Sequence, residues 1–284
     1  MFMIGKWSTV VGRTVRNEST PKKDSEPSVT NESVPVTNES AAVTNESPPV
    51  TGESAPVTYG LIVVCCLIFL IGPAAGLNPA FGTGDELLAA QRAYFRRWGV
   101  VPVELFTGSP RAVLAPLTAL FIHGSWLHLL GNMLFLFVFG AMAEERMGRV
   151  GFALFYVGCG YLALVAYAVA HAGSQQSLVG ASGAISAVLG AFLFLFPRAR
   201  VTSLFPFLFF LPLRFPAWVT LPFWVTLQWL AAGRETSGPG VAYLSHLVGF
   251  GLGFVYAWGR HGRRARVKGP ANAPAPAPEG EKQP

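Results

Sequence analysis

Residues 180–196 read GASGAISAVLGAFLFLF. This uncharged run reaches the short end of the length a helix needs to cross about 30 Å of hydrocarbon. On a helix, Ser182, Ser186 and Gly190 fall at i, i+4 and i+8, a stripe of small side chains on one face. Between helices in lipid there is no strong hydrophobic drive, and a small-residue stripe lets a second backbone approach closely. The matching stripe lies near the C-terminus, where His246, Gly249 and Gly253 recur at i, i+3 and i+7 in another apolar run. The expected fold is all-α, a polytopic bundle of transmembrane helices in which these two faces pack together.

Composition agrees. Half of the residues are hydrophobic (51%) and 13% are charged, although the first 57 residues are plainly polar. Six spans are expected, at about 58–76, 126–142, 151–170, 180–196, 216–232 and 241–258. Leu204 to Phe215 is also apolar, but Pro206, Pro212, Arg214 and Pro216 interrupt it, so it reads as an interfacial approach to the fifth span. The loop between the first two spans mixes Arg92, Arg96, Arg97 and Glu104 with Tyr94, Phe95 and Trp98, as amphipathic pieces on a membrane surface would. Cys65, Cys66 and Cys159 all fall in apolar runs and read as small hydrophobes, which argues against a disulfide-rich secreted scaffold.

The expected organisation is a disordered tail (1–57), a membrane domain (58–260) and a second tail (261–284), basic and then rich in Ala and Pro. From Val29 to Thr58 the first tail repeats Val-Thr-Asn-Glu-Ser every seven residues. Pro35, Pro48, Pro49 and Pro56 exclude a coiled coil there. No cleavable leader precedes the first apolar run, so that span is expected to direct insertion. The net charge of +6 arises from basic residues at the ends of spans and in 261–268, a placement that suits membrane topology and not nucleic acid. Arg146 and Arg149, Arg198 and Arg200, and the basic C-terminal cluster share one side, which puts both termini in the cytoplasm.

In this orientation Ser182 opens span four on the outward side, and His246 lies about one and a half turns into span six from the same side. A serine hydroxyl is a weak nucleophile, and a neutral histidine within about 2.6–3.2 Å can take its proton as it attacks a carbonyl. Separately, each residue has a bland reading, a packing serine and a histidine bonded to a neighbouring helix. A third cluster joins them at the start of span two, where His128 and Asn132 lie four apart on one helical face. Polar groups need partners in lipid, and these two can donate hydrogen bonds to an oxyanion, assisted by the Ser182 N–H at a helix N-terminus. A metal site from His123, His128 and His246 competes with this idea, weakened because no carboxylate or cysteine falls near them. A purely structural polar cluster is the other alternative.

His128-x-x-x-Asn132, Gly180-x-Ser182-Gly183 and His246-x-x-Gly249-x-x-x-Gly253, in that order over spans two, four and six, resemble the rhomboid family of intramembrane serine proteases. Glu144-Glu145-Arg146-Met147-Gly148 is similar to the family's Glu-x-Arg-x-Gly segment. The resemblance covers about Leu117 to Trp258. It implies Ser182 as nucleophile, His246 as general base without an acidic third member, and Asn132 and His128 as oxyanion donors. Gly180 and Gly183 would accommodate substrate backbone, with His123, Gly249 and Gly253 in support and no cofactor or metal. The implied activity is cleavage of transmembrane segments of single-pass proteins near the outer face of the bilayer. Three positions depart from the family pattern. Leu114-Ala115 replaces a Trp-Arg pair, Ser186 stands where many members carry an aromatic ring, and Ser245 where many carry alanine.

A catalytically silent scaffold that binds transmembrane helices through the same faces is the rival from another class, although binding needs neither Ser182 nor His246. A transporter is a second rival, weakened because no span carries an acidic residue in its middle. A bacterial plasma membrane is the expected location. The orientation is testable with Ser174→Cys in a background lacking the native cysteines. An impermeant maleimide should label it from the outward side, and labelling from the cytoplasmic side alone would reverse the topology.

Overall fold

The computed structural model describes residues 54–205, 211–233 and 241–262. The repeats and nearly all of both expected tails lie outside the described residues. Helix α1 (Pro56–Ile71) is followed by a long connection carrying α2 (Asp85–Trp98), α3 (Pro102–Leu105) and α4 (Pro110–Ala119). Helix α5 (Trp126–Phe135) runs through a π-helical turn, Leu136–Gly140, into α6 (Ala141–Met147). Then come α7 (Arg149–Ala170), α8 (Ser182–Leu195), strands β1 (Arg200–Phe205) and β2 (Leu211–Pro216), α9 (Ala217–Ala232) and α10 (Tyr243–Ala257).

Local chemistry sets several boundaries. Ser125 opens α5 by accepting the His128 N–H on its hydroxyl (3.2 Å). Gly148, at φ 80°, separates α6 from α7 in a conformation that disfavours any side chain. Ala55, before α1, offers no side-chain cap. A buried carboxylate from α6 substitutes for one: Glu144 Oε1 accepts the Val57 N–H (3.0 Å) and Oε2 accepts the Thr58 N–H (2.7 Å). These are first-turn donors that no intrahelical carbonyl can satisfy, and a carboxylate also favours the positive end of the helix. The acidic residue of the Glu-x-Arg segment thus fastens α1 to the end of the second span.

Helix α8 is the centre of the bundle, with every residue from Gly183 to Phe192 buried. Its small side chains admit α10 at very short range. A Cβ on Gly249 would lie 2.1 Å from the Gly183 carbonyl oxygen, and one on Gly253 would lie 1.8 Å from that of Ala187. From the other side, a Cβ on Gly190 would lie 2.0 Å from the Phe250 oxygen. The outer helices carry exposed large apolar side chains instead, among them Leu127, Leu130, Val150, Leu154 and Trp229. Exposed large apolar side chains of this kind fit contact with lipid.

Six of these helical stretches coincide with the six expected spans. Trp126–Met147 and Arg149–Ala170, each of 22 residues, are long and apolar enough to cross a membrane. Helices α1, α8, α9 and α10 have 14 to 16 residues. At 14 residues α8 rises about 21 Å, short of a full crossing. By length and composition, two of the described helices are therefore candidate spans.

One correction concerns fold class, which is mostly helical but not wholly so. The expected interfacial approach to the fifth span contains an antiparallel hairpin, β1 with β2, pairing Arg200 with Pro216 and Phe205 with Leu211. Pro212 and Pro216 lack the N–H that a helix interior requires, whereas a two-stranded ribbon always has an outward edge that needs none.

The close contact of α8 with α10 is testable. Gly253→Ala should destabilise the folded protein in detergent by at least the 1–3 kcal/mol typical of overpacking, read by thermal unfolding. Gly251→Ala, where an added Cβ meets nothing within 4 Å, should leave the midpoint unchanged within error.

Candidate active site

Ser182 is the first residue of α8, so its N–H belongs to the donors that the helix leaves unpaired. The segment leading into it is held by the first loop. Val100 and Leu178 exchange backbone hydrogen bonds of 2.9 and 2.7 Å, and the Gly180 N–H donates to the Ala119 carbonyl at 2.9 Å. Gly180 has φ 128°, and a Cβ there would lie 2.7 Å from both Cε1 and Nε2 of His128 and 3.8 Å from Asn132 Nδ2. Glycine is required at this position for conformation and for space, because the ring of His128 lies against its Cα.

His128 and Asn132 project from α5 toward this same turn. The Gly124 N–H makes a long hydrogen bond, 3.4 Å, to His128 Nδ1. With Nδ1 accepting, the ring hydrogen sits on Nε2, the nitrogen beside Gly180, as a donor. His123 is buried, with its ring edge-on to that of His128 at a centroid separation of 5.3 Å.

His246 projects from α10 on the opposite wall and is 8% exposed. Gln228 Oε1 lies 2.8 Å from its Nδ1. The Trp224 ring lies nearly parallel to the imidazole, at 29° and 6.1 Å between centroids, and Tyr243 meets it edge-on at 6.3 Å. Ser186 and Ser245, the unusual neighbours, engage their own helices: Ser186 donates to the Ser182 carbonyl (2.7 Å) and Ser245 to that of Ala242 (2.8 Å). The orientation of the His246 ring, which the sequence left unassigned, is set in part by α9. A readable signal existed, since Gln228 is the sole amide or ionisable side chain in Ala217–Ala232 and an amide in lipid needs a partner.

Ser182, His246, His128, Asn132, Gly180 and Gln228 all line one cavity of about 700 Å³. Its described lining contains no Asp, Glu, Lys or Arg. Two buried atoms of the lining residues, His246 Nε2 and Asn132 Nδ2, have no hydrogen-bond partner in the protein. The expected Ser182–His246 hydrogen bond is therefore not formed. Gly183 is not in the lining. It packs toward α7 and α10, its would-be Cβ 3.0 Å from Ala163 Cβ, so the geometry gives no support to the substrate contact expected of it. Gly249 and Gly253 lie in the α8–α10 contact already described. Chemically, the lining brings together the Ser182 hydroxyl, the His246 imidazole with its open nitrogen, and amide, imidazole and backbone donors around a common space.

Fold and site together give a mostly helical protein, with two helices long and apolar enough to cross a membrane and one cavity lined by both a serine and a histidine. A family model described as Rhomboid domain matches residues 110–263, more than half of the chain. The chain belongs to the rhomboid family, whose members are embedded in membranes. It is 34% identical over 142 residues to "Rhomboid protein 1, mitochondrial" of Saccharomyces cerevisiae, covering 49% of this chain and 39% of that protein. It is 37% identical over 93 residues to "Rhomboid-like protein 11, chloroplastic" of Arabidopsis thaliana, 32% of each. Over 79 residues it is 33% identical to "Putative rhomboid protease YdcA" of Bacillus subtilis, 28% of this chain and 39% of that protein. The chain thus spans about a third to two-fifths of the length of the curated relatives it matches. With two of them named for organelles, they do not support a bacterial plasma membrane as the location.

If Asn132 Nδ2 serves a developing oxyanion, Asn132→Ala should slow phosphonylation of Ser182 by a fluorophosphonate probe by about 10²–10³-fold. The thermal midpoint should change little, because that amide nitrogen has no partner to lose.

Proposed function

We propose that this protein is an intramembrane serine endopeptidase that cleaves transmembrane segments of single-pass membrane proteins near the outer membrane face. What carries the reading is the pairing, in one cavity, of Ser182 with a histidine whose Nδ1 is engaged and whose Nε2 is open. Membership of the rhomboid family and the printed name of the Bacillus relative support it. In this mechanism Ser182 Oγ attacks the scissile carbonyl carbon while its proton passes to His246 Nε2. Negative charge develops on the carbonyl oxygen and is met by Asn132 Nδ2, His128 Nε2–H and the Ser182 N–H. Collapse of the intermediate expels the amine, which takes the proton from Nε2 and leaves an acyl-serine. Water then repeats the sequence and regenerates the hydroxyl.

A helical substrate hides its scissile carbonyl in an internal hydrogen bond, so substrates should carry helix-weakening residues and small side chains near the cut. The proposal includes six spans within a membrane domain of residues 58–260, and both termini on the cytoplasmic side. That arrangement puts Ser182 and His246 at a shared outward depth.

The test is incubation of the purified, detergent-solubilised chain with a panel of single-pass substrates. Wild type should yield a discrete product, and Ser182→Ala and His246→Ala should each fall to background. Equal product from wild type and Ser182→Ala would sink the mechanism. Substrate capture without cleavage by wild type would favour a silent scaffold.

A further inference from the structure

Nothing in the proposed mechanism so far uses α9, yet α9 makes the two contacts that hold the base. Trp224 and Gln228 are four residues apart, one turn along one face of the helix. Trp224 lies beside the flat of the imidazole, and Gln228 Oε1 reaches Nδ1 at 2.8 Å. The ring is thereby fixed about both of its rotatable bonds, by a planar wall and by a directional hydrogen bond.

We propose that Gln228 is a positioning residue, a neutral third member that sets the tautomer of His246. The inference rests on the protease reading and deepens it. A neutral imidazole carries one hydrogen, on either nitrogen. If Oε1 of Gln228 accepts from Nδ1–H, the lone pair is left on Nε2, which can then take the Ser182 proton. If the hydrogen sat on Nε2, the imidazole could not act as a base toward the hydroxyl. In hydrolases with a Ser-His-Asp triad a buried carboxylate sets this tautomer. Here no Asp or Glu lines the described cavity, and the amide does the same geometric work without adding a charge. The absence of charge matters in this setting, because an ionised carboxylate at this depth would need compensation and the described lining holds no Lys or Arg. The amide oxygen also favours the imidazolium that forms transiently, although less than a carboxylate would.

The experiment compares the full chain in detergent as wild type, Gln228→Leu, Gln228→Glu and Ser182→Ala, using one cleavable single-pass substrate. Gln228→Leu keeps the bulk and removes the acceptor. Its kcat should fall about 10²-fold with KM within about twofold, because the loss is of general-base competence and not of substrate contact. Gln228→Glu restores an acceptor for Nδ1–H and should recover at least about tenfold of that loss. The direct readout is the 15N spectrum of histidine-labelled protein, with the His246 signals assigned by their disappearance in His246→Ala. Wild type should show hydrogen on Nδ1, and Gln228→Leu should shift the ring toward hydrogen on Nε2.

Wild-type His246 protonated on Nε2 would overturn the role of Gln228, since the amide would then be donating. So would an unchanged kcat in a folded Gln228→Leu protein, or a loss confined to KM. Should Gln228→Leu fail to fold, the wild-type spectrum and the activity of Gln228→Glu still decide. An inactive wild type, or a Ser182→Ala variant as active as wild type, would instead overturn the protease reading itself.

Discussion

The contact between α8 and α10 is the constraint on which the rest of the molecule depends. Three glycines let the two backbones meet where any Cβ would fall within about 2 Å of a carbonyl oxygen. Without a hydrophobic drive between helices in lipid, such proximity is what dispersion and helix packing can use. It also has a chemical consequence, because it carries Ser182 and His246 to two walls of one cavity although 64 positions separate them in the numbering. Larger residues on either stripe would part the helices and the reactive groups together. Packing and site geometry are in this sense one feature of the sequence.

Around that pair, the remaining elements supply order that the two helices lack. The long first loop reads as a surface excursion, yet its backbone clamps residues 178–180 through Val100 and Ala119 and so aims the start of α8. Gly180 then brings its Cα against His128, so α5 meets the chain two residues before Ser182. On the far wall α9 fixes the imidazole. Four separate stretches thus converge on one space of about 700 Å³, and each enters through a specific contact.

Much of this was legible in the sequence, for identifiable reasons. Helical periodicity exposed both small-residue stripes, and the placement of His128 and Asn132 one turn apart exposed a polar face in an apolar run. The resemblance to the rhomboid family rested in part on residues that line the site, His128, Asn132, Gly180, Ser182 and His246, and the family match bears it out. What escaped were the distant contacts that neither a small-residue stripe nor a polar face announces. Gln228 and Trp224 meet His246 only through the crossing of α9 and α10, and periodicity within α9 gives no hint of which face that crossing selects. The capping of α1 by Glu144 joins residues 86 and 87 apart. The hairpin Arg200–Phe205 with Leu211–Pro216 was hidden by its composition, since an apolar, proline-broken segment fits an interfacial strand and an interfacial coil equally well.

The unpartnered state of His246 Nε2 and Asn132 Nδ2 follows from the same division of labour. Both residues line the cavity, and the surrounding structure over-determines the conformation of each side chain. For His246 the over-determination is visible: the α8–α10 contact sets the backbone, Trp224 sets the plane of the ring, and Gln228 takes the other nitrogen. For Asn132 it comes from its place on α5, capped by Ser125 and pressed against the Gly180 turn. On the proposed mechanism, such an arrangement would hold a base and an oxyanion donor in place before a carbonyl arrives, leaving little reorganisation for the moment of reaction.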